Sequence, residues 1–141
     1  MRRTTFCMIG LILVCLTGPG ATSLFAMDAS TAPVDVMVDA QVITDARIVL
    51  KQVDSFGPAW VVIYTQAAGG SLGQIVGYTA VCDGMNAYLP VALDMAKVKT
   101  ASLVAVLHVD RGVVGIFEPQ GADTIAHADG EVVATAFGVS Y

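Results

Sequence analysis

The chain has 141 residues, 55% of them hydrophobic and only 13% charged, with a formal net charge of −5. That length suits one domain. An acidic chain with no basic cluster repels phosphate backbones, so nucleic acid and anionic membrane surfaces are excluded as natural partners.

The first quarter reads apart from the rest. Arg2 and Arg3 form a short basic start, Phe6 to Leu16 is an uncharged apolar run, and Gly18, Pro19 and Gly20 break it before Leu24-Phe25-Ala26. This layout predicts a secretory signal over residues 1–26, cut after Ala26. The apolar run is far shorter than the roughly 20 residues a bilayer span needs, so no membrane span is expected in the mature chain. Val14 stands before Cys15, which argues against a lipoprotein signal, and the residues around Arg2-Arg3 fit the general secretory route better than the twin-arginine route. The expectation is an exported protein, periplasmic or extracellular at the cell surface. A polar lead-in over residues 27–33 would precede one domain over residues 34–141.

Cleavage would remove two of the seven basic side chains and none of the twelve acidic ones. The mature chain would then be still more acidic, a property that favours solubility in an apolar-rich protein. Cys7 and Cys15 would leave with the signal, so the mature chain would hold Cys82 and no internal disulfide. A chain of that size buries enough surface to be held by its core, and Cys82 reads as a small buried hydrophobe.

From Pro33 the pattern alternates. Val34, Val36 and Val38 point one way and Asp35 and Asp39 the other, the period of a half-buried strand. A second strand is predicted over Arg47 to Val53. Turn formers at Asp54-Ser55-Phe56-Gly57-Pro58 lead into Trp60 to Gln66, which is rich in β-branched and aromatic residues. Ala67 to Gly73 reads as a loop. Its glycines precede no helix, so it is no phosphate-binding loop. Gln74 to Thr79 is a short strand, and Asp83-Gly84 a turn. Tyr88 to Leu93 is a strand whose Pro90 removes a ladder donor and places it at a sheet edge. Asp94 to Ala101 crosses between sheets. Ser102 to Val109 is the central strand. Asp110-Arg111-Gly112 suits a hairpin loop with glycine in the left-handed position, returning through a strand at Val113 to Glu118. Asp129-Gly130 is the strongest hairpin signal, closed by Glu131 to Val139.

This spacing of short strands, with no amphipathic helix, predicts an all-β fold: an immunoglobulin-like sandwich of about seven to nine antiparallel strands, with a partly closed barrel as the alternative. Two strands are apolar on both faces. Trp60, Val62 and Tyr64 oppose Val61 and Ile63, and Val104 and Val106 oppose Leu103, Ala105, Leu107 and Val109. A sandwich strand needs one apolar face. The second requires cover, from the Asp123 to Val139 hairpin or from another molecule.

The segments GPAWVVIYTQ, GQIVGYTAVCDGMN, LVAVLHVDRGVVGIFE and ADGEVVATAF carry a resemblance. Gly57, Trp60 to Ile63, Gly77, Thr79, Val81, Gly84, Asn86, Leu107, His108, Asp110, Gly112, Gly115, Glu118, Gly121, Asp123, Asp129 to Val133 and Phe137 fall in an ordered set over about Val34 to Val139. The chain resembles an uncharacterised secreted or cell-surface β-sandwich family, a domain of unknown function common in halophilic archaea and also found in bacteria. The resemblance implies an extracytoplasmic β domain and brings no catalytic residues. Ala80 stands where a proline is common, and Gln120 is an extra residue inside a usual Pro-Gly, departures that bear on loop geometry.

No residue set makes a catalytic constellation, and no cofactor is implied. His108 and Asp110 share a strand face, and with Glu118 on the predicted return strand they would form a small polar cluster. His with carboxylates suits zinc or copper. The competing reading has Asp110 accepting backbone N–H bonds in the turn and His108 paired with a carboxylate or carbonyl. Cys82, Met85, His108 and His127 occur in the wrong order for a blue-copper site, and Asp54, Asp83, Asp94 and Asp123 lack calcium-loop spacing. Trp60 reads as the core anchor. The expected role is a non-enzymatic structural or protein-interaction module, meeting a protein partner or a second copy through an apolar sheet face or edge. A metal-binding accessory protein using His108 with Asp110 or Glu118 is the alternative.

Overall fold

The computed structural model of the protein describes residues 34–141; the expected signal and lead-in lie outside the described residues. Eleven strands occur among them: β1 (Asp35–Met37), β2 (Gln41–Val42), β3 (Arg47–Ser55), β4 (Ala59–Gln66), β5 (Leu72–Val81), β6 (Gly84–Ala92), β7 (Ser102–Val109), β8 (Thr124–Ile125), β9 (His127–Ala128), β10 (Glu131–Val132) and β11 (Ala134–Ser140). Two sheets form the layers. One runs β1-β3-β6, the other β2-β11-β7-β4-β5 with β8 on the end of β7; β9 and β10 make a small hairpin. Neither main sheet closes on itself, and the fold is the expected β-sandwich. Its strands are mostly antiparallel. The exception is β2, which runs parallel to β11 because it arrives from the other sheet.

Alternation builds the core. On β3, Ile48, Leu50 and Val53 are buried; on β4, Ala59, Val61 and Ile63; on β7, Leu103, Ala105 and Leu107; on β11, Phe137 and Val139. These inward faces meet between the sheets, where removal from water is worth roughly 25 cal/mol per Å² of apolar surface. Of the two two-residue turns, the one at Asp129-Gly130 follows from residue type. Asp129 and Gly130 both take left-handed φ and join β9 to β10, as the sequence predicts. Asp45 and Ala46 adopt the same conformation between Thr44 and Arg47.

The edges are managed individually. Pro90 sits on β6, which is an edge strand as expected. β1 pairs only with Gln52 to Asp54 of β3. Further along β3, the Gln41 side chain takes over: its Oε1 accepts the Val49 N–H at 2.8 Å, and its Nε2 donates to the Val49 carbonyl at 3.0 Å. One amide group thus imitates a strand neighbour. At the opposite corner, Asp94 N donates to Val76 O at 2.7 Å, tying β5 to the segment after β6. Gly77 permits this approach, since a Cβ there would lie 2.4 Å from the Ala92 carbonyl oxygen.

Three sequence expectations are corrected. Val113 to Glu118 is not a strand; residues 110–123 form a loop, and β8 takes the place beside His108 and Val109. Trp60 is buried but stands on the face of β4 that points away from the inter-sheet core. Cys82, expected as a small buried hydrophobe, is only partly buried, because it stands just past the end of β5.

Replacing Gly77 by Ala should force β5 away from the end of β6. Overpacking of this kind costs about 1–3 kcal/mol, and the urea midpoint should fall accordingly. Ile63→Ala, which empties a fully buried site, should cost about 2–5 kcal/mol in the same measurement.

Candidate functional site

β4 and β7 lie side by side in the middle of the larger sheet, with Trp60 opposite His108 and Val62 opposite Val106. Those four side chains share the outer face, which the smaller sheet does not reach, yet Val62 and Val106 are wholly buried and His108 is 3% exposed. The cover is the 110–123 loop. Phe117 points inward, its ring 5.5 Å from Trp60, 4.6 Å from Tyr78 and 6.0 Å from His108. Further along, Pro119 and Gln120 line a shallow cleft with Tyr64 and Ile75. The second apolar face is therefore covered from within the chain, by the loop rather than by the hairpin expected from sequence.

Carboxylates hold this loop in place. Asp123 is buried; its Oδ1 accepts the Arg111 N–H at 2.8 Å and its Oδ2 the Glu118 N–H at 2.7 Å, so one side chain ties both limbs. Asp110 Oδ2 accepts the Gly115 N–H at 2.8 Å, and Glu118 Oε2 accepts the Val113 N–H at 3.3 Å. Backbone bonds from Ile116 to Val113 and from Gly121 to Glu118 complete two tight turns. Gly112 is left-handed, as the sequence predicts, and a Cβ there would press to 2.6 Å of Glu118 Oε2. Asp110, Glu118 and Asp123 are thus brought together as acceptors for backbone amides.

His108 lies beneath them. Its Nε2 is 3.1 Å from the Tyr64 hydroxyl, and the two rings stack at 6.1 Å. Burial pushes the His108 imidazole below the usual histidine range; the backbone carbonyl and the carboxylate of Asp123 pull the other way and are outweighed. Burial likewise raises the Tyr64 phenol. Nε1 of Trp60, Oδ1 of Asp110 and Nδ1 of His108 are buried and make no hydrogen bond of full geometry among the described residues, so the Asp123 backbone acts on His108 as a weaker contact.

The other sequence candidates are dispersed. Met85 is exposed on the outer side of β6, and His127 is exposed on β9 with Nδ1 against the Ile125 carbonyl. The loop aspartates serve local structure. Asp83 accepts the Gly57 N–H, Asp94 pairs with Lys97 at 3.2 Å, and Asp54 accepts from Gln52. Among the described residues no three His, Cys, Asp or Glu side chains converge as metal ligands, and no helix is long and apolar enough to cross a membrane.

Two features escaped the sequence reading. The first is the loop's tip, where Val113, Val114 and Ile116 are 58%, 67% and 56% exposed. The signal was present, since Gly112 and Gly115 bracket the aliphatic run, but the run itself reads as a strand. The second is a cavity of about 480 Å³ at the same end of β7, lined by Leu107, Val109 and Ala126 with Phe56, Arg111 and Thr124 around it. Arg111 makes no ion pair among the described residues, because the acids beside it in sequence face backbone amides.

Residues 34–140, most of the chain, match the family described as a domain of unknown function (DUF7282). The chain belongs to this family. No curated protein and no solved structure matches it.

Asp123→Ala should free two amides at the loop's base. Hydrogen bonds to a charged acceptor are worth about 1.5–3 kcal/mol each, so a loss of roughly 3 kcal/mol and a red-shifted emission from Trp60, the single tryptophan, are expected. Stability should also depend on His108. Its folded pKa is lowered, so its contribution is full above the unfolded value of about 6.5 and is lost as pH falls through and below it. Denaturation midpoints measured from pH 7.5 to 4.5 should fall less steeply in His108→Phe.

Proposed function

We propose that this protein is an exported, non-enzymatic β-sandwich that works as a structural or protein-interaction module in the periplasm or at the cell surface. The observation that carries this reading is the build of the 110–123 loop. Its three acids are engaged with backbone N–H groups and its aromatic ring is turned inward, while three aliphatic side chains are held out to water. A rigid apolar projection lowers the entropy lost on docking. It contributes nothing to the protein's own core.

Further support comes from the surroundings. None of His108, Asp110, Glu118 or Asp123 lines the cavities at Leu107, at Tyr64 or at Val42, so this polar cluster and room for a substrate do not coincide there. The first 26 residues have the composition of an export signal. A second reading, a metal held by His108 with Asp110, draws on the unpartnered His108 Nδ1 and Asp110 Oδ1. Native mass spectrometry of purified protein decides it, by a stoichiometric metal that His108→Ala removes.

The docking reading is tested in cells of the organism that encodes the chain. A photo-crosslinking side chain at Val114 should give a discrete adduct with another protein chain. The same group at Val42, exposed elsewhere on the sandwich, should give none. The mature chain in the exported fraction should begin at Met27. A cytoplasmic, uncut chain, or equal crosslinking at both positions, would refute the proposal.

A further inference from the structure

We infer that the partner met by this tip is a second copy of the same chain, the tip of each copy entering the cavity beside Leu107 of the other. The inference rests on the docking reading above and names its occupant. Four observations lead to it.

The tip projects and the cavity recedes; the tip is apolar, and the cavity combines apolar with polar lining residues. Val113, Val114 and Ile116 project from the loop; Leu107, Val109 and Ala126 form the cavity floor, with Phe56 exposed beside it. Both features lie at the C-terminal end of β7, with Arg111 belonging to each: it lines the cavity and stands two residues before Val113. Two copies related by a twofold axis at that end would each supply one tip and one cavity, the self-complementary arrangement that a closed dimer requires.

Charge agrees with shape. Arg111 lines the cavity and lacks an ion-pair partner among the described residues, while Glu118, at the tip's base, spends Oε2 on the Val113 N–H and keeps Oε1 for a cation. Each cavity therefore presents a guanidinium where the incoming tip carries a carboxylate oxygen. A lipid surface fits less well. The tip has no outward aromatic ring, since Phe117 faces Trp60, its one adjacent cation is Arg111, and the chain's net charge is −5.

The size of the contact sets its strength. Three partly exposed aliphatic side chains offer on the order of 300 Å² per copy, the scale of the largest apolar patch on an ordinary monomer. Two such insertions with their rims stay under about 1,200 Å² in total, which places the dimer in the weak, reversible class.

Sedimentation of the full chain from micromolar to millimolar concentration tests this. The weight-average mass should climb from that of one copy, 14.6 kDa, toward two. Val114→Asp, at an exposed tip position, and Thr124→Trp, which fills the cavity mouth from an exposed position, should each weaken the dimer about tenfold or more. Near-ultraviolet circular dichroism checks that both variants remain folded. Mixing the two should restore part of the association, because the first variant keeps its cavity and the second its tip. A chain that stays monomeric throughout, or variants that associate like the parent, would overturn the inference. So would a mixture with no recovery. Binding of the monomeric chain to phosphatidylcholine vesicles, lost in Val114→Asp, would overturn it in favour of lipid. In each of these cases an adduct of the Val114 crosslinker with a different protein would leave the docking reading standing.

Discussion

Two valines that no partner sheet can reach set the terms for this fold. Val62 and Val106 face outward from the middle of the larger sheet and are nevertheless sealed from water. A two-layer sandwich has no third layer to offer them. The chain supplies one from a loop, with Phe117 wedged among Trp60, Tyr78 and His108. Remove that wedge and the outer face of β4 and β7 becomes an apolar patch at the centre of the sheet.

A loop has no ladder of its own to keep it in position, and its amides must find acceptors. Here carboxylates fill that role. Asp123 accepts from both limbs, and Asp110 and Glu118 from the turns between them. This explains why an acidic chain gathers so many polar groups around a buried histidine while no metal-ligand set forms among the described residues. Both oxygens of Asp123, and one each of Asp110 and Glu118, are directed at the backbone. His108 completes the arrangement as a largely apolar ring, stacked on Tyr64 and kept neutral by its burial.

Much of the sandwich was legible in the residues. Period-two alternation located β1, the β-branched and aromatic run from Trp60 located β4, Pro90 marked an edge strand, and Asp129-Gly130 fixed a hairpin. The doubly apolar composition of β4 and β7 announced a face in need of cover. The source of that cover was not legible, because VVGIF has the β-branched character of a strand, and nothing local says that its partner position beside His108 belongs to Thr124 and Ile125. Asp123 acts across twelve residues on Arg111, a separation at which pattern carries no information. Trp60 was misplaced for a related reason. Periodicity divides a strand into two faces, and only the packing tells which of them looks into the core.

The Gln41 amide on Val49 bears on how such a protein survives at high local density. Exposed main-chain donors and acceptors along a strand are templates for indiscriminate recruitment, the first step toward fibrils. Where β1 stops short, a single glutamine occupies that template with both halves of its amide. Growth by stacking strand upon strand is blocked there. A neighbour arriving at β3 finds its vacant seat already taken and must bind, if at all, by side chains.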